Sequence, residues 1–349
     1  MHSMEGTSAH LEFLGLREQP FAPTADPAYF YAAGQHKECL FRLWNSIDER
    51  HGIAVVLGNY GTGKTTLLRK LLTGMHADSD RYRTAVLGSP IPSWTSFALL
   101  ENIVGQFGLA LSSQSFGEYM ETLNRYLLSN RNRICTLIVD DAQNLNKRGQ
   151  IELLRLVQNL ETQQHKLLNL VFFGQLEWAQ VLRAAPNFLQ RVNMTYRLEA
   201  LGLEDVRNFI EFRLFQAGAN EGGGPVFNEL ALRVIHAYSD GNPREMVTLC
   251  RNALIVAGQM RTREIGYEIL LHTIEKTTLP DPERKARVAR VVPGAGANRK
   301  PRAERVPVGA RHQSDVIKQE ASVDREQMSR DQKAAQMLLK AAQARRNQG

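Results

Sequence analysis

Residues 58–65, G-N-Y-G-T-G-K-T, have the types and spacing of a loop that binds polyphosphate. The apolar run 53–57 precedes this loop, and a helix-favouring segment begins at Thr66. Glycines let backbone N–H groups converge on phosphate oxygens, because a Cβ atom there would block the approach. Lys64 is expected to reach the β- and γ-phosphates, and the Thr65 hydroxyl to ligate Mg²⁺. A chance glycine turn is the weaker alternative, because strand, loop and helix come in the required order.

Two carboxylates, Asp140 and Asp141, follow the continuous apolar run 134–139. Such a run is typical of a central parallel strand that is buried on both faces. A carboxylate at the C-terminal end of that strand can hold Mg²⁺, directly or through water, and we assign this role to Asp140. Asp141 is placed to orient and polarise the attacking water. Two solvated acids at a strand end are the weaker interpretation, since a phosphate-binding loop lies upstream.

Strands and helices alternate around these two motifs. Strands are predicted near 53–57, 84–87, 134–139, 167–173 and 194–198. Helical periods fall between them, so the predicted fold class is α/β, a parallel sheet covered by helices. After Gly202 the strand signals stop, and four helical segments predict a small all-helical lid domain.

Pattern and composition divide the chain into five parts. They are a disordered start at 1–10, an α/β nucleotide-binding domain at 11–200, a helical lid at 201–277, a basic linker at 278–313 and a helix-prone, partner-binding tail at 314–349. Residues 281–349 contain no aromatic residue and carry 16 Lys or Arg against 8 Asp or Glu. The net charge of +7 therefore belongs to the tail, and the body is close to neutral.

Composition excludes several other classes of protein. The chain has 349 residues, 43% of them hydrophobic, which is enough for two domains. No run approaches the ~20 apolar residues of a membrane span. No signal-peptide pattern opens the sequence, and the three cysteines are far apart among apolar residues. We therefore expect a cytoplasmic protein with reduced, buried thiols.

Several short motifs together resemble the AAA+ ATPases, and within them the ExeA-like group. They are FLGLREQPF (13–21), ADPAYFY (25–31), GNYGTGKTT (58–66), VDDAQNL (139–145), VFFGQ (171–175) and SDGNPR (239–244). The resemblance covers about 11 to 260, and it implies ATP and Mg²⁺ as cofactors. The residues then expected to bind ATP are Gly58, Asn59, Tyr60, Gly61, Thr62, Gly63, Lys64, Thr65, Thr66 and Arg244, with Thr65 and Asp140 on the metal.

The resemblance also implies roles for residues outside the loop. Gln175 matches the sensor-1 position, which reads the γ-phosphate, and Arg244 matches the sensor-2 position. Arg191 matches the arginine finger that reaches the nucleotide of a neighbouring subunit, with Arg197 as the alternative. Because the family usually has Glu where this chain has Asp141, whose side chain is one methylene shorter, we predict a slow ATPase. A misplacement of ~1 Å can cost on the order of a hundredfold in rate.

Two functions compete for this ATPase. The favoured hypothesis is a transposition regulator that resembles TnsC, TniB and MuB, which assemble on duplex DNA and link a target-selection protein to a transposase. The alternative is an ExeA-like ATPase of a secretion or envelope-assembly system, which acts as an ATP-dependent protein scaffold. ExeA-type proteins are expected to continue into a membrane span, whereas this tail is basic and polar, which weighs against that alternative. Either function implies a homo-oligomer, a ring or a filament with about six or seven subunits per turn.

The transposition hypothesis needs residues that contact DNA. The candidates are Lys147, Arg148 and Lys166, with Trp94 in a loop that follows the second strand. A near-neutral body does not exclude DNA binding, since each subunit of a filament supplies only a few phosphate contacts. An ordinary solvated surface is an equally good interpretation of these four residues.

Overall fold

The computed structural model describes residues 9–24, 26–109, 115–219 and 224–292. The strands are β1 (Ile53–Gly58), β2 (Tyr82–Leu87), β3 (Ile134–Val139), β4 (Leu168–Gly174), β5 (Val192–Leu198), β6 (Val226–Phe227) and β7 (Glu264–Ile265). The helices are α1 (Ala9–Phe13), α2 (Gly34–Asp48), α3 (Lys64–Ala77), α4 (Ser96–Gln106), α5 (Phe116–Ser129), α6 (Arg148–Gln158), α7 (Trp178–Arg183), α8 (Pro186–Leu189), α9 (Leu203–Gln216), α10 (Glu229–Ser239), α11 (Pro243–Gln259), α12 (Tyr267–Thr277) and α13 (Pro282–Val291).

Five strands form one parallel sheet in the order β2-β3-β4-β1-β5. Every residue of β1, β3 and β4 is buried, which explains why these three strands appear in the sequence as continuous apolar runs. All strands run the same way, so their carboxyl ends meet at one edge of the sheet. The predicted α/β fold class is confirmed, and the phosphate loop, Asp140 and Gln175 all follow central strands at that edge.

Helices cover both faces of the sheet and bury two separate apolar clusters. On one face α4, α5 and α6 supply buried side chains such as Leu99, Leu123 and Leu154. On the other face α2 and α3 supply Leu43 and Leu67. The helix that follows the phosphate loop is therefore anchored on the sheet by its apolar side, which fixes the direction of its first turn.

A third apolar cluster lies within the lid, from α9 to α13. The lid is not all-helical as predicted, because the two-residue strands β6 and β7 pair inside it and bury Phe227 and Ile265 in this cluster.

The third cluster also includes Leu14, Phe21 and Tyr29 from the lead-in segment, which was assigned to the α/β domain by sequence. The backbone N–H of Arg17 donates to the Ala217 carbonyl at 2.9 Å. The lead-in segment is thus packed against the lid, a contact that neither segment's own pattern reveals.

Helices α1 and α13 correct two sequence expectations. Helix α1 begins at Ala9, inside the start that was expected to be disordered. Helix α13 lies inside the expected linker, because the Asp281 carboxylate caps its first turn and Val288 is buried in the lid core. Arg284 of α13 also pairs with Glu245 at 2.7 Å. The remaining expectations for residues 1–8 and 293–349, including the tail, lie outside the described residues.

No helix among the described residues has the length and apolar character needed to cross a membrane.

Candidate nucleotide-binding site

The phosphate loop follows β1 and turns directly into α3. Gly61 and Gly63 have φ of +81° and +95°, a conformation that residues with a Cβ atom rarely adopt. A Cβ atom at Gly61 would also lie 2.3 Å from the Asn242 side-chain oxygen. The loop therefore needs these glycines for its shape, and it delivers the N-terminus of α3, with its free N–H groups, to the cleft.

Lys64, the first residue of α3, is only 8% exposed. Its ammonium group donates to the backbone carbonyls of Gly58 and Asn59, at 2.8 Å each. Burial lowers the pKa of Lys64, and the negative charges of Asp140 and Asp141 oppose that shift. The ammonium is thus held over the loop. When a nucleotide binds, the ammonium can exchange the two carbonyls for phosphate oxygens, which are stronger acceptors because they are charged.

The two predicted metal ligands lie in direct contact. The Thr65 hydroxyl donates to the Asp140 carboxylate at 2.8 Å. Burial raises the pKa of Asp140, while the Thr65 hydrogen bond and the Lys64 charge act to lower it. A hydroxyl beside a carboxylate offers the hard oxygen donors that Mg²⁺ prefers, so the residues present fit this ion.

Asp141 sits at an unusual backbone position. Its φ of +50° is in the left-handed region, which Asp tolerates better than most residues. Its carboxylate accepts a hydrogen bond from the Gln143 side-chain amide at 2.9 Å. The Gln143 oxygen in turn accepts from the backbone N–H of Gln175 at 3.1 Å. Asp141 and Gln175 both line the cleft. Gln143, to which the sequence analysis assigned no role, joins them through these two hydrogen bonds.

The lid contributes Arg244 to the same cleft. Its guanidinium lies over the Tyr60 ring, 4.6 Å from the centroid, and donates to the Tyr60 hydroxyl at 2.5 Å. The Asn242 side chain donates to the Tyr60 carbonyl at 2.7 Å. The lid is therefore attached to the phosphate loop at the predicted sensor-2 residue. The roles of Tyr60 and Asn242 in this contact were not predicted.

The cleft has a volume of about 530 Å³, which is in the range of small-molecule sites. Its lining includes the polar side chains of Lys64, Thr65 and Arg244. The lining also includes apolar and aromatic side chains, among them Phe30, Tyr31, Phe209 and Val247. A ligand that carries both a polyphosphate and a flat ring fits this lining.

Comparisons with known proteins agree with this fold. A family model described as "AAA domain" matches residues 47–182. The crystal structure of Cdc6p from Pyrobaculum aerophilum superposes with a TM-score of 0.57 at 20% identity, over 76% of this chain and 73% of that one. The chain has the AAA+ P-loop fold. A structure of the Aeropyrum pernix ORC2 protein in ADPNP–ADP complexes gives a TM-score of 0.52 at 15% identity, over 71% of this chain and 68% of that one.

A curated protein shares more of the sequence. General secretion pathway protein A of Aeromonas hydrophila is 35% identical over 278 residues, which is 78% of this chain and 49% of that protein. The chain thus spans about half the length of this relative. The similarity supports the secretion-type alternative of the sequence analysis better than the transposition hypothesis.

Arg191 lies away from the AAA+ cleft of its own subunit. It stands just before β5, at the opposite end of that strand from the phosphate loop, and donates to the Asn187 carbonyl at 2.5 Å. Arg197 lies at the other end of β5, 65% exposed and 3.9 Å from Glu199. Arg197 lies closer than Arg191 to the phosphate loop of the same chain. Arg191 is therefore the better candidate for contact with a neighbouring copy, and this role stays a prediction.

The four candidate DNA contacts do not form one surface of the AAA+ domain. Lys147 donates to the Ser93 carbonyl at 2.8 Å, and the half-buried Trp94 packs against the core of the sheet. Arg148 is exposed at the first turn of α6, beside them. Lys166 precedes β4 at the opposite edge of the sheet and pairs with Glu161. The sequence could not show this separation, because α6 carries the chain from one edge to the other.

Proposed function

We propose that this chain binds ATP with Mg²⁺ in the cleft between its AAA+ domain and its lid, and hydrolyses the ATP slowly. The observation that carries this proposal is the contact between the Thr65 hydroxyl and the Asp140 carboxylate at 2.8 Å, beside the buried Lys64. In phosphoryl transfer most of the catalysis is positioning and charge stabilisation, and these three residues supply both.

Each residue has a separate task in this mechanism. Thr65 and Asp140 would hold Mg²⁺, and the ion would supply positive charge to offset that of the phosphates. Lys64 leaves the loop carbonyls and binds phosphate oxygens. The Asp141 carboxylate accepts a hydrogen bond from the attacking water and so orients it. Gln175, at the end of β4, is placed to contact the γ-phosphate, and its backbone is already tied to the Asp141 side chain through Gln143.

We further propose that the nucleotide state controls assembly with other copies of the chain and with protein partners. The 35% identity with general secretion pathway protein A supports a scaffold in a secretion-type or envelope-assembly system. Arg191 fits a contact in trans, because it lies at the end of β5 opposite its own phosphate loop. A finger from a neighbour makes hydrolysis depend on assembly, since it supplies positive charge only in the oligomer.

Duplex DNA, with a transposase and a target-selection protein, is the competing set of partners. Solved structures of the same fold include one described as Drosophila ORC bound to DNA, at 16% identity and a TM-score of 0.53 over 78% of this chain and 66% of that one. Such a likeness concerns the fold. Among the described residues, Lys147 and Lys166 lie at opposite edges of the sheet, so the four candidate contacts do not share one basic surface. We therefore treat DNA-dependent assembly as an outcome to be tested.

The ATPase proposal is tested by hydrolysis and by fluorescent ATP binding, each measured with and without Mg²⁺. Thr65→Val and Asp140→Asn are expected to remove the Mg²⁺-dependent part of both signals. Thr73→Val is the matched control, because Thr73 lies exposed on the same helix and its hydroxyl bonds only to the Arg69 carbonyl. Mg²⁺-dependent hydrolysis at the wild-type rate in Asp140→Asn would contradict the assignment.

A further inference from the structure

Gln143 is the polar link between two cleft residues that come from different strands. It lies in the short turn Ala142–Asn144 that follows β3, and its side chain is half-buried. Its amide nitrogen donates to Asp141 Oδ1 at 2.9 Å, and its amide oxygen accepts from the Gln175 backbone N–H at 3.1 Å. Both polar ends of this side chain are therefore used, one on each neighbour.

The link completes a chain of hydrogen bonds across the carboxyl edge of the sheet. The Thr65 hydroxyl donates to Asp140 Oδ2, and the Asp141 backbone N–H donates to Asp140 Oδ1 at 3.0 Å. Gln143 then extends the chain from the Asp141 carboxylate to Gln175. The helix of the phosphate loop, the end of β3 and the end of β4 are thus joined by four hydrogen bonds that link five residues.

We propose that Gln143 is a positioning residue for the attacking water, an inference that rests on the ATPase function proposed above. By holding one carboxylate oxygen of Asp141, Gln143 fixes the rotation of this short side chain and leaves the other oxygen to accept from water. Because the same amide also holds the backbone of Gln175, movement of the γ-phosphate sensor is transmitted to the residue that orients the water.

The geometry explains why a tether is needed here. Asp141 begins the turn with a left-handed backbone, which turns its side chain away from the direction that an extended residue would give it. Asp also carries its carboxylate on a single methylene, so its reach is short. A short carboxylate that rotates freely would spend little time in the one orientation that supports hydrolysis, and the Gln143 amide removes that freedom.

Two substitutions at Gln143 separate its two hydrogen bonds. Gln143→Met keeps the volume and removes both bonds. Gln143→Glu keeps an oxygen for the Gln175 N–H but has no N–H to donate to Asp141. Both variants are expected to lower kcat by roughly 10- to 100-fold. ATP affinity is expected to change less than about threefold, because the Gln143 side chain is not among the residues that line the cleft. Gln163→Glu, at an exposed position remote from the cleft, controls for the charge change.

A double-mutant cycle distinguishes positioning from a general structural effect. Asp141→Asn alone is expected to reduce kcat strongly, and Gln143→Met is expected to add little to it, because the group that Gln143 positions is already lost. Thermal unfolding of each variant checks that the fold is intact. Losses that multiply in the double variant, or wild-type kcat in both Gln143 variants, would overturn the proposal.

The same experiment separates this inference from the ATPase proposal. If Lys64→Ala and Asp141→Asn leave hydrolysis unchanged, the cleft is not the ATPase site and the function itself fails. If those two variants lose hydrolysis but Gln143→Met and Gln143→Glu do not, the function stands and only the positioning role is wrong.

Discussion

The Thr65 hydroxyl and the Asp140 carboxylate lie 2.8 Å apart, although the two residues are 75 positions apart in the chain. The contact exists because α3 begins directly after the phosphate loop and β3 ends at the same edge of the sheet. It brings the two expected Mg²⁺ ligands together at one point of that edge.

Lys64→Ala is expected to abolish tight ATP binding and to lower hydrolysis by at least about a hundredfold, because the only loop ammonium is lost. The fold is expected to survive, since Lys64 bonds only to the Gly58 and Asn59 carbonyls. Fluorescent nucleotide titration and phosphate release measure the two effects. Lys70→Ala is the control, because Lys70 is exposed on the same helix. Equal losses in both variants would contradict a specific role for Lys64.

Asp141→Glu is expected to raise the steady-state rate of hydrolysis, by about tenfold or more, because the added methylene brings the carboxylate closer to the water. Steady-state phosphate release at saturating ATP compares this variant with the wild type. The wild type should be the slower enzyme. A wild type that is already fast, and is not improved by Glu, would show that the shorter side chain places its oxygen correctly.

Arg244→Ala is expected to weaken ATP binding by about three- to tenfold, since the lid loses its cation–π contact with Tyr60 and a charge near the phosphates. ADP affinity is expected to change less, because ADP lacks the γ-phosphate. Isothermal titration with each nucleotide measures both affinities. Arg233→Ala is the control, an exposed lid arginine paired with Glu229. An equal loss for ATP and ADP would limit Arg244 to a structural contact between lid and loop.

Arg191→Ala is expected to keep ATP binding and to lose the increase in hydrolysis that assembly produces. The specific rate is measured over a range of protein concentrations, where the wild type should rise and the variant should stay flat. Arg197→Ala is the comparison, because this arginine lies at the other end of β5. If the concentration dependence disappears in Arg197→Ala and not in Arg191→Ala, the finger is Arg197.

Val288→Asp is expected to destabilise the protein by about 2 kcal/mol or more, because it places a charge in the lid core at a side chain that is 5% exposed. Thermal unfolding of the full chain measures the shift of the midpoint. Ala289→Asp makes the same charge change at the adjacent exposed position. Equal midpoints in the two variants would show that α13 adds nothing to the stability of the lid.

The sequence predicted those parts of the fold that have a local signal. The central strands β1, β3 and β4 are continuous apolar runs. Lys64 and Asp140 follow two of those runs, and their residue types indicate a phosphate contact and an Mg²⁺ ligand. Helix α13 was missed because it is mostly basic and polar, with few apolar side chains to reveal its period. Its position is decided by contacts with α10 that lie far away in sequence.

The contacts that organise the cleft were the least predictable. The contact between Tyr60 and Arg244 joins residues 184 positions apart, and it depends on how the lid packs against the sheet. The Gln143 link depends on the left-handed backbone of Asp141, and no residue pattern in the motif predicts that conformation. The separation of Lys166 from Lys147 follows from the direction of α6. In each case the deciding information is tertiary.

The central claim is that ATP in this cleft drives assembly without DNA. The most direct test is the mass distribution of the purified full chain, measured by mass photometry with a slowly hydrolysed ATP analogue or with ADP, each with and without duplex DNA. The account predicts oligomers with the analogue alone, none with ADP, none in Lys64→Ala, and no further effect of DNA. Oligomers that form only when the analogue and DNA are both present would contradict it and restore the transposition hypothesis.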